Sequence, residues 1–393
     1  MRWIYYDQTN SAEVAEHERV SQRITDWWAE FQRSTKQLDA LFRGAEEFDL
    51  PEWMHQHLQA IHPDIMWEFG PAVNQKGHRL VITPESHSEL RPLVEDIVAR
   101  VPRIKGWEFY TYRLPEPVEQ ALPTVEGRTG MDIKDVRVAV AIGEHNRVDL
   151  TFQWDETPTD DEQAFNAAFV ATETLVGEEM LDRWVGVINM VDQSAEFEAG
   201  QRFLPLDRLK PTFDAVVNSA KEQLPAEPYY AFAPDGQWAL LKLEPQEAAD
   251  YSDRDDMMTC VTCNPDLVGA TFSNAPFYSE RYSRCGETFC YVKIDGADAE
   301  EMGFQDREDM EEAVRNVLEP QELGGLVGSG TGLRYSYIEL ALTDRERGIA
   351  VVRRAMQEGT VPRRSWILFH DADLASEWIG VYEDSPSPPT AGT

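Results

Sequence analysis

Cys260, Cys263, Cys285 and Cys290 are all the cysteines in this 393-residue chain, and they fall within one short stretch as C-x2-C-x21-C-x4-C. Thiolate-bound zinc takes four sulfurs from two tight turns, so the spacing points to a structural zinc site. The 21-residue separation runs slightly beyond the usual span, and cysteine is also a good small core residue, so buried thiols are the competing reading. A redox-active C-x-x-C needs a helix N-terminus to lower the thiol pKa, and no helix is evident after Cys263.

A second group is Gly328-Ser329-Gly330-Thr331-Gly332, followed by Arg334, Tyr335 and Tyr337. Phosphate-cradling loops run from a strand into a helix and the P-loop ends in Gly-Lys-Ser/Thr, whereas here a strand follows and no lysine is present. A bulged strand connection therefore explains the glycines. Gly328, Gly330, Gly332, Arg334, Tyr335 and Tyr337 remain the candidate contacts for a small anion, helped by Arg345, Arg347, Arg353, Arg354, Arg363 and Arg364. His370-Asp371-Ala372-Asp373, at an expected strand end, has the residue types to gather a divalent ion but reads more simply as a turn. His55, His57 and His62 share a short helix without the spacing to chelate together. The chain has no G-x-S-x-G, H-E-x-x-H or Walker-type motif.

The surroundings are strongly acidic: 71 Asp and Glu oppose 36 Lys and Arg, a formal net charge of −35. Such a field repels nucleic acid and anionic membranes, so neither is an expected partner. Apolar residues at 42%, including 11 Trp, are enough to bury real cores. The start lacks the basic and apolar regions of a secretory signal and no long uninterrupted apolar run follows, which predicts a cytoplasmic location with reduced cysteines.

Periodicity predicts the elements. Ile24, Trp28, Phe31, Leu38 and Phe42 recur at helical steps across Ser11 to Arg43, and this helix needs a partner surface. From Trp67 short strands alternate with helices, with capping boxes at Ser86/Glu89, Thr159/Glu162 and Thr343/Glu346. Val136 to Ile142 and Val148 to Trp154 alternate as a β-hairpin. Phe165, Phe169, Thr172, Val176 and Met180 mark one face of the helix that follows. After a helical connector, a second hairpin is expected around Tyr229 to Leu243, turning at Pro234-Asp235-Gly236. A similar order of elements then repeats to Tyr382.

The fold class expected is α+β: two ferredoxin-like (split β-α-β) antiparallel sheet units behind an N-terminal helical extension. The divisions are 1–62 for the extension, 63–195 for the first unit, 196–225 for the connector, 226–383 for the second unit, and 384–393 for a tail disordered by composition.

Trp67-Glu68-Phe69-Gly70-Pro71, Leu80-Val81-Ile82 and Gly106-Trp107-Glu108-Phe109, with Gly330-Thr331-Gly332-Leu333-Arg334-Tyr335 and Ser365-Trp366-Ile367 in the second half, resemble an uncharacterised family of bacterial cytosolic proteins of unknown function. The resemblance implies a bacterial origin and assigns no activity. The missing catalytic motifs and the aromatic content favour a non-enzymatic protein-binding or regulatory role. The alternatives are an enzyme or anion-binding protein using the cleft between the halves, and a structural zinc module in the second unit.

Overall fold

The computed structural model describes residues 2–154, 160–192, 202–231, 238–297 and 302–390. The protein is a mixed α+β chain, with three sheets among the described residues. Helix α1 (Ser11–Phe42) opens on Asn10, whose side chain accepts from the N–H groups of Ala12 and Glu13. Its apolar stripe, with Val20, Ile24, Trp27, Trp28, Phe31 and Leu38 buried, packs with α2 (Leu50–His57) onto a sheet of β1 (Met66–Pro71), β2 (His78–Thr83) and β3 (Trp107–Tyr110). Helix α3 (Arg91–Ala99) crosses from β2 to β3. Trp28 Nε1 donates to the Ile97 carbonyl at 2.7 Å, fixing α1 against α3. The Ser86/Glu89 capping box does not start α3: a 3-10 turn at Ser88–Leu90 intervenes, and no side chain caps its start at His87.

The next layer comprises α4 (Val118–Thr129), β4 (Arg137–Ile142), β5 (Val148–Trp154), α5 (Asp161–Val176), α6 (Glu178–Trp184), β6 (Val185–Asp192), β7 (Leu204–Pro205) and α7 (Leu209–Gln223). Its sheet runs β6-β5-β4-β7, and the β4–β5 hairpin is present as expected. Residues 63–195 thus differ from the single antiparallel layer expected of them. They form parts of two sheets, each with a parallel pair, β2 with β3 and β5 with β6. The physical reason is the crossover: a strand, helix, strand passage returns the chain in the same direction and here lays it beside its predecessor.

The buried side of α5 also differs from the reading by bulk. Ala164, Ala167, Ala168 and Ala171 face the core with Ala121 and Val125 of α4, while Phe165 and Phe169 are 46% and 41% exposed. Small side chains let two helix backbones approach, so the alanine face wins the interior. Asp160 caps α5 by accepting from the Gln163 N–H at 3.0 Å, and Thr159 lies outside the described residues.

The third sheet is built from β8 (Ala239–Lys242), β9 (Met257–Thr262), β10 (Thr288–Asp295), β11 (Gly324–Gly332), β12 (Tyr335–Leu342), β13 (Ser365–Phe369) and β14 (Trp378–Gly380). Its order is β14-β13-β10-β12-β11-β9-β8, with every neighbouring pair antiparallel. Helix α8 (Pro265–Thr271) follows β9, and α9 (Arg307–Leu318) and α10 (Arg345–Glu358) cover one face over Cys290, Val292, Ile294, Ile338, Leu340 and Ile367. Strand alternation sends Tyr291, Lys293, Tyr335, Tyr337 and Glu339 to the opposite face.

Two local expectations change here. Tyr229–Ala231 is a 3-10 turn and β8 pairs with β9 instead of forming a hairpin with it; Pro234-Asp235-Gly236 lies outside the described residues. Helix α10 is capped by Asp344, which accepts from the Arg347 N–H at 3.1 Å, while Thr343 Oγ1 donates to the Glu322 carbonyl. At the N-terminus the buried Glu377 carboxylate accepts from the backbone N–H groups of Trp3, Ile4 and Tyr5 at 2.6, 3.0 and 2.9 Å. The first residues are thereby tied to the last strands of the third sheet.

Candidate functional site

The glycine-rich run lies inside β11, not in a loop. A Cβ on Gly328 would stand 2.8 Å from the Val261 carbonyl oxygen, one on Gly330 would stand 2.6 Å from the Met257 methyl, and one on Gly332 would meet the Asp256 carboxylate. The glycines therefore serve the close approach of β9 and its preceding turn. The candidate anion contacts are already engaged: Arg334 Nη2 donates to Asp295 at 2.7 Å, and Tyr335 Oη donates to Asp250 at 2.6 Å. Tyr337 Oη donates to Asp256, and Arg364 bridges Asp250 and Asp295. Carboxylates neutralise this cluster from within. Of the remaining arginines, Arg353, Arg354 and Arg363 line a separate surface cleft with Glu383 and Asp384.

The cysteines disperse. Cys260 packs with Tyr251, Met257 and Tyr337; Cys290 joins the core beneath α9 and α10 on the other face of the sheet. Cys263 packs beside Tyr229 and Leu267, and Cys285 Sγ lies 3.7 Å from the Ala226 carbonyl. Among the described residues no three His, Cys, Asp or Glu side chains converge as a metal site requires. A helix does follow Cys263, namely α8, yet burial pushes the Cys263 thiol up to about 11, away from a reactive thiolate.

The polar face of the third sheet assembles what the sequence reading left apart. Segment 250–257 and α8 lie over it and carry Arg254 to the middle of the sheet. Arg254 Nη1 donates to Glu339 Oε1 at 2.8 Å, and His370 Nε2 lies 2.7 Å from Glu339 Oε2. Both members of the Arg254–Glu339 pair are buried, at 4% and 1% side-chain exposure. Burial pushes the Glu339 carboxyl up, but the guanidinium and the histidine outweigh it and hold the group well below the usual carboxylate range. Burial, reinforced by the Arg254 charge, drives the His370 pKa down.

An ionised carboxylate only accepts, so His370 donates to Glu339 from its Nε2–H. The downward direction of the His370 pKa favours the neutral ring, in which Nδ1 is an acceptor. Glu339 is thus charge-paired with Arg254 and hydrogen-bonded by His370. Tyr291 stacks on the imidazole with centroids 4.9 Å apart. Nearby, Lys293 is fully buried, donates to the Tyr251 carbonyl at 2.6 Å and lies 4.1 Å from the Tyr335 ring centroid; burial pulls its pKa down to about 8.

A cavity of about 490 Å³ opens onto this group. His370, Tyr291 and Arg254 line it with the aromatic rings of Phe272 and Phe277, and the exposed Asp253 and Asp255 stand at its edge. Asp253 adopts φ 35°, a left-handed backbone uncommon outside glycine. His370 stands in a stretch whose residues read as a turn, and no sequence motif marks Glu339, Arg254 or Tyr291. The available signal was Glu339 itself, a charge within the otherwise apolar stretch 338–342.

The carboxylates after His370 do something different. Asp371 accepts from the Ser279 N–H at 2.7 Å and Asp373 from Arg183 at 2.7 Å, while Arg91 Nη2 donates to Asp182 at 3.0 Å. This network joins α3, α6 and the segment following β13. Burial raises Asp182 to about 7 and Asp371 to about 6. A carboxyl whose folded pKa exceeds its unfolded value adds stability below the unfolded pKa that is lost as pH rises through the folded one. The share of the unfolding free energy due to these two carboxyls should therefore fall from about pH 4 to 7, by at most about 1.4 kcal/mol per pH unit for each proton involved. Urea titrations across that range should show wild-type stability falling relative to that of Asp182→Asn as pH rises.

No family model matches this chain, and no curated protein or solved structure matches it. Fold and cavity together define a mixed α+β protein with a buried arginine–carboxylate–histidine group opening onto a cavity. Among the described residues no helix is long and apolar enough to cross a membrane.

Proposed function

We propose that this chain binds a small amine-bearing ligand in the His370 cavity, with His370 as the hydrogen-bond acceptor toward it. The observation that carries the reading is the His370–Glu339–Arg254 group bordering a cavity of about 490 Å³. Arg254 offers little to an anion, because its guanidinium already donates to Glu339 and to the Thr271 carbonyl. Asp253 and Asp255 at the edge, and the net charge of −35, favour a cation. Phe272, Phe277 and Tyr291 suit a flat or apolar body behind the amine.

A thermal-shift panel tests this with tyramine, histamine and agmatine against carboxylate and phosphate analogues of similar size. A ligand at a hundredfold its Kd stabilises the folded state by about 2.7 kcal/mol. At least one amine should raise the melting temperature, and Asp253→Asn/Asp255→Asn should abolish the shift. Stabilisation by the anions alone, or by none of the compounds, would reject the reading.

A protein-binding role is the second reading, supported by the exposed Phe165 and Phe169 one turn apart on α5. For the second half of the chain we also infer a ferredoxin-like split β-α-β unit. The order β13-β10-β12-β11 with α9 and α10 on one face supports it.

A further inference from the structure

The composition of residues 384–393 suggests a disordered tail, but Ser385 to Thr390 lies against the third sheet. Trp366 Nε1 donates to the Pro386 carbonyl at 2.6 Å, and Ser385 Oγ accepts from the Tyr382 N–H at 3.1 Å. Gly380 makes room for this path: a Cβ there would stand 2.6 Å from the Ser385 Cβ. Pro386, Pro388 and Pro389 fix their own φ and bias Ser385, Ser387 and Pro388 toward extended backbone, so the tail has polyproline II character. An indole N–H on a carbonyl of a proline-rich extended segment, set among aromatic side chains, is how proline-reading grooves work.

The groove continues past the tail. Ser387, Pro388, Pro389 and Thr390 form only one wall of a cavity of about 660 Å³, whose other walls include Trp378, Arg2, Glu13, Glu16 and Asp253. Arg2 is occupied, stacking over Trp378 at 3.5 Å and donating to Glu13 at 2.7 Å. Glu16 pairs with Arg19, so Asp253 and Glu377, which has no cationic partner among the described residues, leave the space negative, while the tail through Thr390 carries no charge after Asp384.

We propose that this groove is a docking site for a proline-rich segment of a partner protein bearing a basic residue after its prolines, and that the chain's own tail holds the site in cis. The tail supplies the backbone register and the unfilled acidic cavity supplies the preference for positive charge. This proposal stands apart from the amine-binding reading, although the two cavities share Asp253 and Ala375.

The test uses the full chain and two fluorescein-labelled peptides, SPSPPT and SPSPPR, followed by anisotropy at low salt. Pro388→Gly/Pro389→Gly loosens the cis tail by restoring its conformational freedom and leaves the sheet side of the groove, with Trp366, Trp378 and Gly380, unchanged. It should bind SPSPPR about tenfold more tightly than the wild type does, as a larger fraction of grooves stands open. SPSPPR should exceed SPSPPT, and the difference should shrink in high salt. Adding Trp366→Phe, or Gly380→Ala in a second variant, should remove binding while thermal melts report a folded chain. Equal binding by wild type and loosened chain, or binding that survives both groove substitutions, would overturn the proposal.

Discussion

Glu339→Ala is expected to lower the unfolding free energy by about 3–5 kcal/mol, because it strands the Arg254 guanidinium in the protein interior without its counter-charge. Arg254 is 4% exposed, and the remaining contacts, the Thr271 carbonyl at 3.2 Å and the Phe272 and Tyr291 rings, do not balance a buried positive charge. The substitution also removes the acceptor of His370 Nε2. Glu339→Gln keeps the shape and one acceptor but not the charge, and should fall between wild type and alanine. Replacing both charged partners, Arg254→Met with Glu339→Leu, should recover most of the loss, since apolar pairs of similar volume often match a buried ion pair. Urea unfolding followed by tryptophan fluorescence measures all four chains. A loss below about 1 kcal/mol in Glu339→Ala, the range of an exposed ion pair, would mean that the group is solvated.

Phe31→Ala should have a comparable effect in the N-terminal layer. Phe31 is fully buried, and its ring meets those of Trp27, Trp28, Trp53, Trp107 and Phe109 at centroid distances from 4.9 to 6.2 Å. Removing it leaves a cavity between α1, α2 and β3 whose rigid aromatic walls collapse poorly. Large-to-small changes of this kind cost about 3–5 kcal/mol. Phe42→Ala, on the same helix but 36% exposed, is the control and should cost far less. Similar losses at the two positions would place α1 elsewhere than on the first sheet.

Those two sites also show what the residues disclose. Helix α1 was legible because Ile24, Trp28, Phe31 and Leu38 repeat at helical spacing, and a long amphipathic helix must bury its stripe whatever the topology. The β4–β5 hairpin was legible for the corresponding reason at period two. Helix α4 was not: Pro123 and the surrounding Pro and Gly argue locally for a loop, and burial of Ala121 and Val125 overrides them. The α5 face is not legible from bulk: its buried side is set by the fit of Ala164, Ala167, Ala168 and Ala171 against α4, not by Phe165 and Phe169. Sheet membership was beyond reach, since parallel or antiparallel pairing after a crossover depends on surfaces distant in sequence. The same holds for the site. Arg254, Glu339 and His370 come from three separated segments, and only the charge of Glu339 within an apolar stretch announced that something must meet it.

The proposed amine site requires His370 to be neutral, protonated on Nε2 and to line the cavity with Nδ1 available as an acceptor. Nitrogen-15 NMR of the imidazole measures this directly. The Nε2–H tautomer should persist from pH 5.5 to 8 without a titration near the ordinary histidine pKa of about 6.5, and the Nδ1 resonance should move when the stabilising amine is added. Ordinary titration through that range, or an Nδ1 signal indifferent to every amine, would contradict the account.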